Sequence, residues 1–299
     1  MRKLMKSICL IALVALTFLP ELTFAQTPSM VGYERDWKVG RTKLKVMSYN
    51  VFQGFYKRAD KDRMDRFVAW VKEQSPDVLA MQELSGFTEE QLKEFAARYG
   101  HPYAVILKEY GNAVGLTSKT PIKVVAKNLQ GFGQGLLHCQ ILGIDFLSTH
   151  LNPYKNSIRL QEARNIVNYI EKNKLTRCIL MGDLNARSPF DASWNDTNLE
   201  IYAPLSALMS APLHDICFMF NSDEKRYTFP TRILLNTPKG DGFGRKKERL
   251  DFIFCTDALR SAFVDAQIYN GPDTEYLSDH YPVSASLILE DKDLEEKKK

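Results

Sequence analysis

The stretch Cys178-Ile179-Leu180-Met181-Gly182-Asp183-Leu184-Asn185 decides the fold. Four apolar residues precede Gly182, which is typical of a strand buried on both faces. The strand ends in a carboxylate, Asp183, and an amide, Asn185, and a period of two residues places both on the same side. Because open α/β sheets position their chemistry at the carboxyl ends of strands, this stretch predicts a central strand and the rim of a site.

The first 25 residues have the pattern of a secretory signal peptide. A basic start precedes an apolar run over residues 8–19, and Ala25 closes a small-residue cleavage site. Pro20 and Glu21 interrupt the run, which disfavours the alternative of an uncleaved membrane anchor. Cys9 lies inside the apolar run and not after it, so no lipoprotein site is expected. We expect a secreted or periplasmic chain with no transmembrane segment after cleavage.

The remaining chain is expected to hold one domain. We assign residues 26–41 to a flexible lead-in, residues 42–289 to the domain and residues 290–299 to a charged, solvated tail. Removal of residues 1–25 takes away three basic residues and one acidic residue, and the net charge falls from +4 to +2. This near balance gives no electrostatic case for a dedicated nucleic-acid binder, although it does not exclude a nuclease. We expect a monomer.

The four cysteines that remain after residue 25 show no C-x-x-C spacing. A zinc or redox site is therefore not expected. Cys139, Cys178 and Cys255 lie in apolar runs, where cysteine is usually a small buried hydrophobe. Export would make disulfides possible, and whether any of these cysteines pair is left open.

The order of predicted elements favours a layered architecture. Apolar periodicity predicts helices over residues 60–74, 88–100 and 157–173, the second of them with a capping box at Thr88 and Gln91. Five short strands between residues 103 and 149 predict an antiparallel meander. The long irregular stretch 187–244 is typical of binding loops and holds one predicted short helix near residues 205–209. Together these predict an α/β (α+β) fold, a four-layer α/β/β/α sandwich of two facing mixed β-sheets flanked by helices.

Polar side chains stand at the ends of six predicted strands. They are Asn50, Glu83, His150 with Asn152, Asp183 with Asn185, Asp251, and Asp279 with His280. Carboxylate oxygens suit Mg²⁺ or Mn²⁺, an Asp–His pair offers an oriented base, and amide and imidazole groups can donate to phosphate. Any one of these residues alone could be an ordinary turn or exposed strand end, but the set predicts one site.

Six short motifs at these strand ends resemble those of the endonuclease/exonuclease/phosphatase superfamily. This superfamily includes pancreatic-type DNases, abasic-site endonucleases, bacterial sphingomyelinases and inositol-polyphosphate 5-phosphatases. The motifs are Ser48-Tyr49-Asn50-Val51, Gln82-Glu83, Thr149-His150-Leu151, Gly182-Asp183-Leu184-Asn185, Arg249-Leu250-Asp251-Phe252-Ile253 and Ser278-Asp279-His280-Tyr281-Pro282-Val283. Each is weak alone, but the six occur in the family's order over residues 44–287. The resemblance implies the same four-layer sandwich.

The resemblance also implies a divalent-metal site with Mg²⁺ or Mn²⁺ as cofactor. Glu83 would be the principal metal ligand, with Asn50 nearby and Asp279 supporting the cation directly or through water. Asn50, together with Asn112 and Asn152, would also bind substrate phosphate. For Asn112 a simple turn before a strand is an equal alternative.

The remaining roles implied by the resemblance concern proton transfer and phosphate. His280, oriented by Asp251, would be a general base or a clamp on the scissile phosphate. Asp183 would align or deprotonate the attacking water, and Asn185 would bind a phosphate oxygen. His150 would stabilise charge at the phosphate or protonate the leaving oxygen. In the DNase branch a second carboxylate orients the equivalent histidine, and the sequence does not identify that partner.

These expectations describe an exported, divalent-metal-dependent phosphoesterase that uses an activated water for in-line attack. It could be a phosphodiesterase or a phosphatase, and its substrate a nucleic acid, a sugar phosphate or a phospholipid headgroup. Phe190, Trp194 and Tyr202 could wall a substrate pocket or anchor their loop, and the basic run Arg245-Lys246-Lys247 could meet a polyanion or be solvated. His214-Asp215 is interpreted as structural. The alternative is a catalytically silent binding protein on the same fold, but no member of the catalytic set is missing.

Overall fold

The computed structural model describes residues 40–191, 198–222, 226–236 and 246–290. They form two six-stranded mixed sheets flanked by helices, which confirms the predicted α/β sandwich. The predicted signal peptide, residues 26–39 of the lead-in and residues 291–299 of the tail lie outside the described residues. Within the described ranges, no helix combines the length and apolar character needed to cross a membrane.

The first sheet carries both chain ends of the domain. Its strands are β1 (Arg41–Asn50), β2 (Val78–Gln82), β3 (Tyr103–Ile106), β4 (Gly115–Ser118), β11 (Phe263–Ile268) and β12 (Val283–Glu290). Their order is β11-β12-β1-β2-β4-β3, with β1 parallel to β2 and antiparallel to β12. In the β1–β2 register Asn50 is opposite Gln82, so Glu83 follows at the same edge as Asn50.

The second sheet is built around the stretch that opened the sequence analysis. Its strands are β5 (Lys123–Asn128), β6 (Leu136–Ile141), β7 (Ile144–His150), β8 (Cys178–Asp183), β9 (Leu213–Asp215) and β10 (Asp251–Thr256). Their order is β5-β6-β7-β8-β10-β9, and every residue of β8 is buried. The register places Asp183 opposite both His150 and Asp251, so three polar strand ends lie in one row.

The predicted meander over residues 103–149 was wrong as a single unit. β3 and β4 pair with each other in the first sheet, whereas β5, β6 and β7 form a meander in the second. The chain changes sheets between Ser118 and Lys123. Strands show the same alternation and the same turn residues whichever sheet they join. The local sequence pattern therefore does not predict this change of sheet.

Seven helices connect the strands in the described residues. They are α1 (Phe52–Arg58), α2 (Lys61–Gln74), α3 (Glu89–Ala97), α4 (Asn156–Lys172), α5 (Ala203–Met209), α6 (Ile216–Phe220) and α7 (Asp257–Arg260). The predicted capping box of Thr88 and Gln91 is present, and Asp60 caps α2. Sequence analysis missed β9 and α6 in the long stretch after Asn185, because both are too short to show a period.

Helix α1 is left-handed. From Phe52 to Arg58 every φ lies between 50° and 67°, and Gly54 is the one glycine among the seven. A left-handed helix costs about 1–2 kcal/mol per residue that carries a Cβ, so this conformation persists only where surrounding contacts impose it. Nothing in the sequence predicted it.

The main core lies between the two sheets. Its largest cluster of buried apolar side chains draws on both, with Val46 and Leu287 from the first sheet and Phe146 and Ile253 from the second. The four cysteines in the described ranges are all buried and unpaired, which answers the question of pairing that the sequence left open. This packing holds the two sheets together and thereby fixes the positions of their polar strand ends.

Candidate active site

Asp183 is the centre of the site. Its Oδ2 accepts a hydrogen bond from Asn50 Nδ2 at 2.9 Å, although the two residues are 133 positions apart. The same oxygen lies 3.4 Å from His150 Nε2 and 3.6 Å from His280 Nε2. Asp183 is only 1% exposed, so these contacts are made in a largely dehydrated setting where electrostatic interactions are strong. Side chains from both sheets therefore meet at one carboxylate.

His280 is hydrogen-bonded to Asp251. Its Nδ1 lies 2.8 Å from Asp251 Oδ2, and both residues are buried. The ring of Phe229 lies beside the imidazole, with centroids 5.0 Å apart. Burial by itself lowers the pKa of His280, but the charges of Asp251 and Asp183 outweigh it and hold that pKa well above the ordinary value. The Nε2 of His280 is thus aimed at the centre of the site.

Glu83 stands on the other side of Asn50. Asn50 Nδ2 lies 3.3 Å from Glu83 Oε1, and the main-chain N–H of Gln53 donates to Glu83 Oε2 at 2.7 Å. The oxygen of Asn50 accepts from the N–H of Phe52 at 3.0 Å. The side-chain N–H₂ group of Asn50 therefore bridges the carboxylates of Glu83 and Asp183. Its side-chain oxygen already accepts the hydrogen bond from Phe52.

Asp279 completes a group of three acidic side chains. Burial, together with the charges of Glu83 and Asp183, raises the pKa of Asp279 to about 7, against the opposing effect of His280. Ser278 Oγ lies 3.3 Å from Asp279 Oδ1 and donates to Asn50 O. A buried carboxyl group whose pKa is raised by neighbouring negative charge marks a place where a cation is favoured.

A second grouping of possible ligand atoms overlaps this one. Asp183, Asp251 and His280 each offer an atom within 4.8 Å of the others. The Nδ1 of His280 is already bonded to Asp251, and its Nε2 faces Asp183 at 3.6 Å, so the imidazole has one nitrogen left for another ligand. The hard oxygen donors that suit Mg²⁺ or Mn²⁺ are on Glu83, Asp279 and Asp183.

Asn185 is bonded to Asp183, but strand alternation does not place it there, contrary to the prediction. Alternation stops at Asp183, because Asn185 has a φ of +47° and lies beyond the strand. Its N–H donates to Asp183 Oδ1 at 2.9 Å, and its Nδ2 donates to Leu151 O at 3.1 Å. Within the described residues, the second N–H of this amide group has no hydrogen-bond partner.

Asn152 and Asn112 form hydrogen bonds with residues of their own loops and of nearby loops. Asn152 Oδ1 accepts from the N–H groups of Tyr154 and Lys155 and so shapes the approach to α4. Asn112 Oδ1 accepts from Ser85 Oγ at 2.5 Å. These bonds give both residues a role in loop structure beside the expected contact with phosphate.

The carboxylate partner expected for His150 is absent from the described ranges. Its Nδ1 is buried and has no hydrogen-bond partner there, while its Nε2 faces Asp183. The site therefore provides a buried imidazole beside Asp183 but shows no second carboxylate that would orient it.

The loop that supports Asp251 and Asp279 was not predicted from the sequence. Thr228 Oγ1 accepts from the N–H groups of Leu250 and Asp251, at 2.9 and 3.2 Å. Thr231 N–H donates to Asp279 O at 3.1 Å. Both threonines are buried, but they lie in an irregular segment whose sequence gives no periodic signal.

The structure describes some of the side chains that were considered as possible substrate contacts. Tyr202 is buried and anchors its loop, whereas Phe190 is 47% exposed and stacks on Phe218 with centroids 4.3 Å apart. Lys247 lies over the ring of Tyr227. Trp194 and Arg245 lie outside the described residues.

His214 and Asp215 are structural, as interpreted from the sequence. His214 contacts Asp257, and Asp215 forms a buried ion pair with Arg249 at 2.7 Å. Arg249 is in turn bonded to Asp191, so this pair belongs to a charge network in the core.

The profile of the Endonuclease/Exonuclease/phosphatase family matches residues 47–280, which contain all the residues of the predicted site. The chain belongs to this family. Its members hydrolyse phosphoester bonds, which places the chain among phosphoester hydrolases. A comparison with curated protein sequences gave no match.

Solved structures share the fold at low sequence identity. An AP endonuclease from Archaeoglobus fulgidus is 23% identical, with a TM-score of 0.62, and the match covers 81% of this chain and 98% of that one. The 3' phosphatase NExo from Neisseria, bound to product DNA hairpin, is 18% identical, with a TM-score of 0.63 and coverage of 82% and 99%. D. rerio TDP2, complexed with single strand DNA product, is 19% identical, with a TM-score of 0.59 and coverage of 83% and 99%.

Proposed function

We propose that this chain is an exported, divalent-metal-dependent phosphoesterase that hydrolyses a phosphate ester by in-line attack of an activated water. The observation that carries the proposal is the meeting of Glu83, Asp183 and Asp279 with two histidines at one rim of the sandwich. Asp183 Oδ2 alone is contacted by an amide and approached by two imidazoles. Phosphate-ester hydrolysis is very slow without catalysis and depends on such preorganised charge.

The acidic residues fit Mg²⁺ or Mn²⁺. Glu83 and Asp279 would hold the cation, with Asn50 beside them and Asp183 close by. The raised pKa of Asp279, caused by burial and by neighbouring carboxylates, is what a cation would reverse. When bound, the ion would neutralise charge on the phosphate oxygens and lower the pKa of a coordinated water.

The chain's own groups would perform the remaining tasks. Asp183 would orient the attacking water, and the free N–H of the Asn185 amide would bind a phosphate oxygen. His280, held by Asp251 through Nδ1, would present Nε2 to the phosphate, either to bind an oxygen or to exchange a proton. His150 would add positive charge or a hydrogen bond on the same side as Asp183.

Nucleic acid leads the list of candidate substrates, because two structural neighbours are described with bound DNA products. Sugar phosphates and phospholipid headgroups are the other classes. A panel of bis-p-nitrophenyl phosphate, p-nitrophenyl phosphate, single-stranded DNA, a sugar phosphate and a phospholipid would separate diesterase from monoesterase activity. Each substrate is assayed with Mg²⁺, with Mn²⁺ and with EDTA. Failure of all of them with either ion would reject the enzyme in favour of a silent binding protein.

Export is supported by the pattern of residues 1–25 alone. Expression of the full chain followed by N-terminal sequencing of the exported fraction tests it. A mature protein that begins at Gln26 is expected. Retention of the whole chain with its first residues intact would contradict export without affecting the assignment of the active site.

A further inference from the structure

Arg63 is a fully buried arginine beneath the acidic end of the site. Its relative exposure is 0%, and its guanidinium group donates to three main-chain carbonyls. Nη1 lies 3.2 Å from both Val51 O and Leu277 O, and Nη2 lies 3.0 Å from Phe52 O. Val51 and Phe52 directly follow Asn50, and Leu277 lies two positions before Asp279. Arg63 therefore joins the two segments that carry these site residues.

Three aromatic rings of the left-handed helix α1 pack against the same guanidinium group. Arg63 Cζ lies 5.5, 4.9 and 5.0 Å from the ring centroids of Phe52, Phe55 and Tyr56. These are distances at which a cation is attracted to an aromatic ring. The three rings stand at positions i, i+3 and i+4 of α1 and therefore share one face, which packs on the guanidinium group. Arg63 thus contacts α1 through its side chains as well as through its main chain.

Helix α1 also touches the principal predicted metal ligand. The N–H of Gln53 donates to Glu83 Oε2 at 2.7 Å. At Gly54 the backbone approaches Ser85 so closely that an added Cβ would lie 2.1 Å from Ser85 O. The conformation of α1 is thereby coupled to the placement of Glu83, which itself has a φ of +61°.

We propose that Arg63 is a positioning residue of the cation site, which acts through α1 and through the segment from Leu277 to Asp279. It touches neither substrate nor cation. It fixes the main chain that presents Asn50, the Gln53 N–H and Asp279. The inference rests on the proposed function, since the cation is part of that proposal.

A core arginine that served packing alone would not need these partners. Burial of a guanidinium group is costly unless its donors are bonded, and apolar side chains fill a core without that cost. Arg63 forms one ion pair, with Asp60 at 3.3 Å, and its other hydrogen bonds go to carbonyls beside the site. The bonding pattern therefore points to geometry at the site as the property that Arg63 maintains.

The test compares cation affinity in Arg63 variants by isothermal titration calorimetry with Mn²⁺. Arg63→Met keeps the bulk and removes every donor, and Arg63→Lys keeps the charge but offers a single compact ammonium group. Residues that support metal ligands typically contribute 10- to 100-fold to affinity, and we expect a loss of that size for Met and a smaller one for Lys. Arg98→Met is the control, because Arg98 is exposed and paired with Asp65 away from the site.

A second measurement uses the unaltered protein and does not depend on whether a variant folds. Hydrogen exchange is followed in peptides that cover residues 51–58 and 276–280, with and without Mn²⁺. We expect cation binding to slow exchange in both peptides together, because Arg63 links them.

The outcomes separate this inference from the function on which it rests. Folded Arg63 variants that bind Mn²⁺ as tightly as the unaltered protein, or unchanged exchange in both peptides on binding, would overturn the role of Arg63. An unaltered protein that binds neither Mn²⁺ nor Mg²⁺ would instead overturn the proposed function.

Discussion

At the scale of single residues, the site depends on buried polar groups that are stable only because they are paired with one another. Asp183 would be an expensive buried charge if Asn50 and the two histidines did not surround it. Its identity as a site residue was predictable, because a carboxylate at the end of a wholly apolar strand needs a reason. The role of Asn152 in shaping its own loop was not predictable, because an Asx-type turn and a phosphate contact require the same side chain.

We predict that His280→Ala lowers kcat on the best substrate by at least about 100-fold, as loss of one preorganised electrostatic contact often does. The alanine removes the imidazole that lies 3.6 Å from Asp183 and leaves Asp251 without its partner. Steady-state kinetics on the purified variant measures this. His214→Ala is the matched control, since that histidine pairs with Asp257 outside the site. Equal losses in both variants would remove His280 from the mechanism.

Because His101 is buried, we predict that the free energy of unfolding depends on pH in a specific way. Burial, assisted by Lys119, lowers the pKa of His101 against the opposing effect of its hydrogen bond to Pro76 O. A group whose pKa is lower in the folded state binds its proton more readily when unfolded. Its stabilising contribution is therefore complete above the ordinary pKa of about 6.5 and is lost as the pH falls from there through the folded value, at about 1.4 kcal/mol per unit of difference.

The measurement is urea unfolding at pH 7.5 and at pH 5.0 for the unaltered chain and for His101→Gln. Other groups titrate in both proteins, so the contrast between them isolates His101. We expect the free energy of unfolding to fall more steeply with acid in the unaltered chain. Parallel losses in the two proteins would show that His101 does not resist protonation.

At the scale of elements, period and turn chemistry predicted most helices and strands. The buried run of β8, the capping box of α3 and the strand that precedes Glu83 all appear as expected. The left-handed turn of α1 was not predictable, because residues 52–58 carry no run of glycines and their contacts include partners distant along the chain, such as Glu83 and Arg63. The change of sheet between β4 and β5 was missed for a related reason, since partner choice is a tertiary property.

The junction of β7 and β8 allows a test at this scale. An added Cβ at Gly182 would lie 2.0 Å from Thr149 O, so Gly182→Ala must push apart the strands that carry His150 and Asp183. We expect a loss of about 1–3 kcal/mol in the free energy of unfolding, the usual cost of forced overpacking, and a parallel loss of activity. Gly271→Ala is the control, because nothing lies within 4 Å of its added Cβ. The measurement is urea unfolding of both variants. Equal free energies of unfolding for the two would contradict the close approach of the strands at Gly182.

At the scale of the whole molecule, two sheets packed through one core bring distant segments to a common rim. The rim includes the carboxyl groups of Glu83, Asp183 and Asp279, and the first two raise the pKa of the third, so a bound cation would relieve their repulsion. A ligand that binds only the folded state stabilises it by about 2.7 kcal/mol at 100 times its Kd. We therefore predict that Mg²⁺ or Mn²⁺ raises the Tm in calorimetry and that EDTA reverses the shift. The Glu83→Ala variant should show a smaller shift, and an equal one would place the cation elsewhere.

The central claim is that a divalent cation held at Glu83 enables phosphoester hydrolysis. The most direct measurement is the rate of hydrolysis of the best substrate by the unaltered protein and by Glu83→Ala, in Mg²⁺ and after EDTA, with Glu90→Ala on the exposed side of α3 as the control. We predict that EDTA abolishes turnover, that added Mg²⁺ restores it, and that Glu83→Ala is slower by at least about 100-fold while Glu90→Ala is unaffected. Undiminished turnover in EDTA, or a folded Glu83→Ala protein with the rate of the unaltered one, would contradict it.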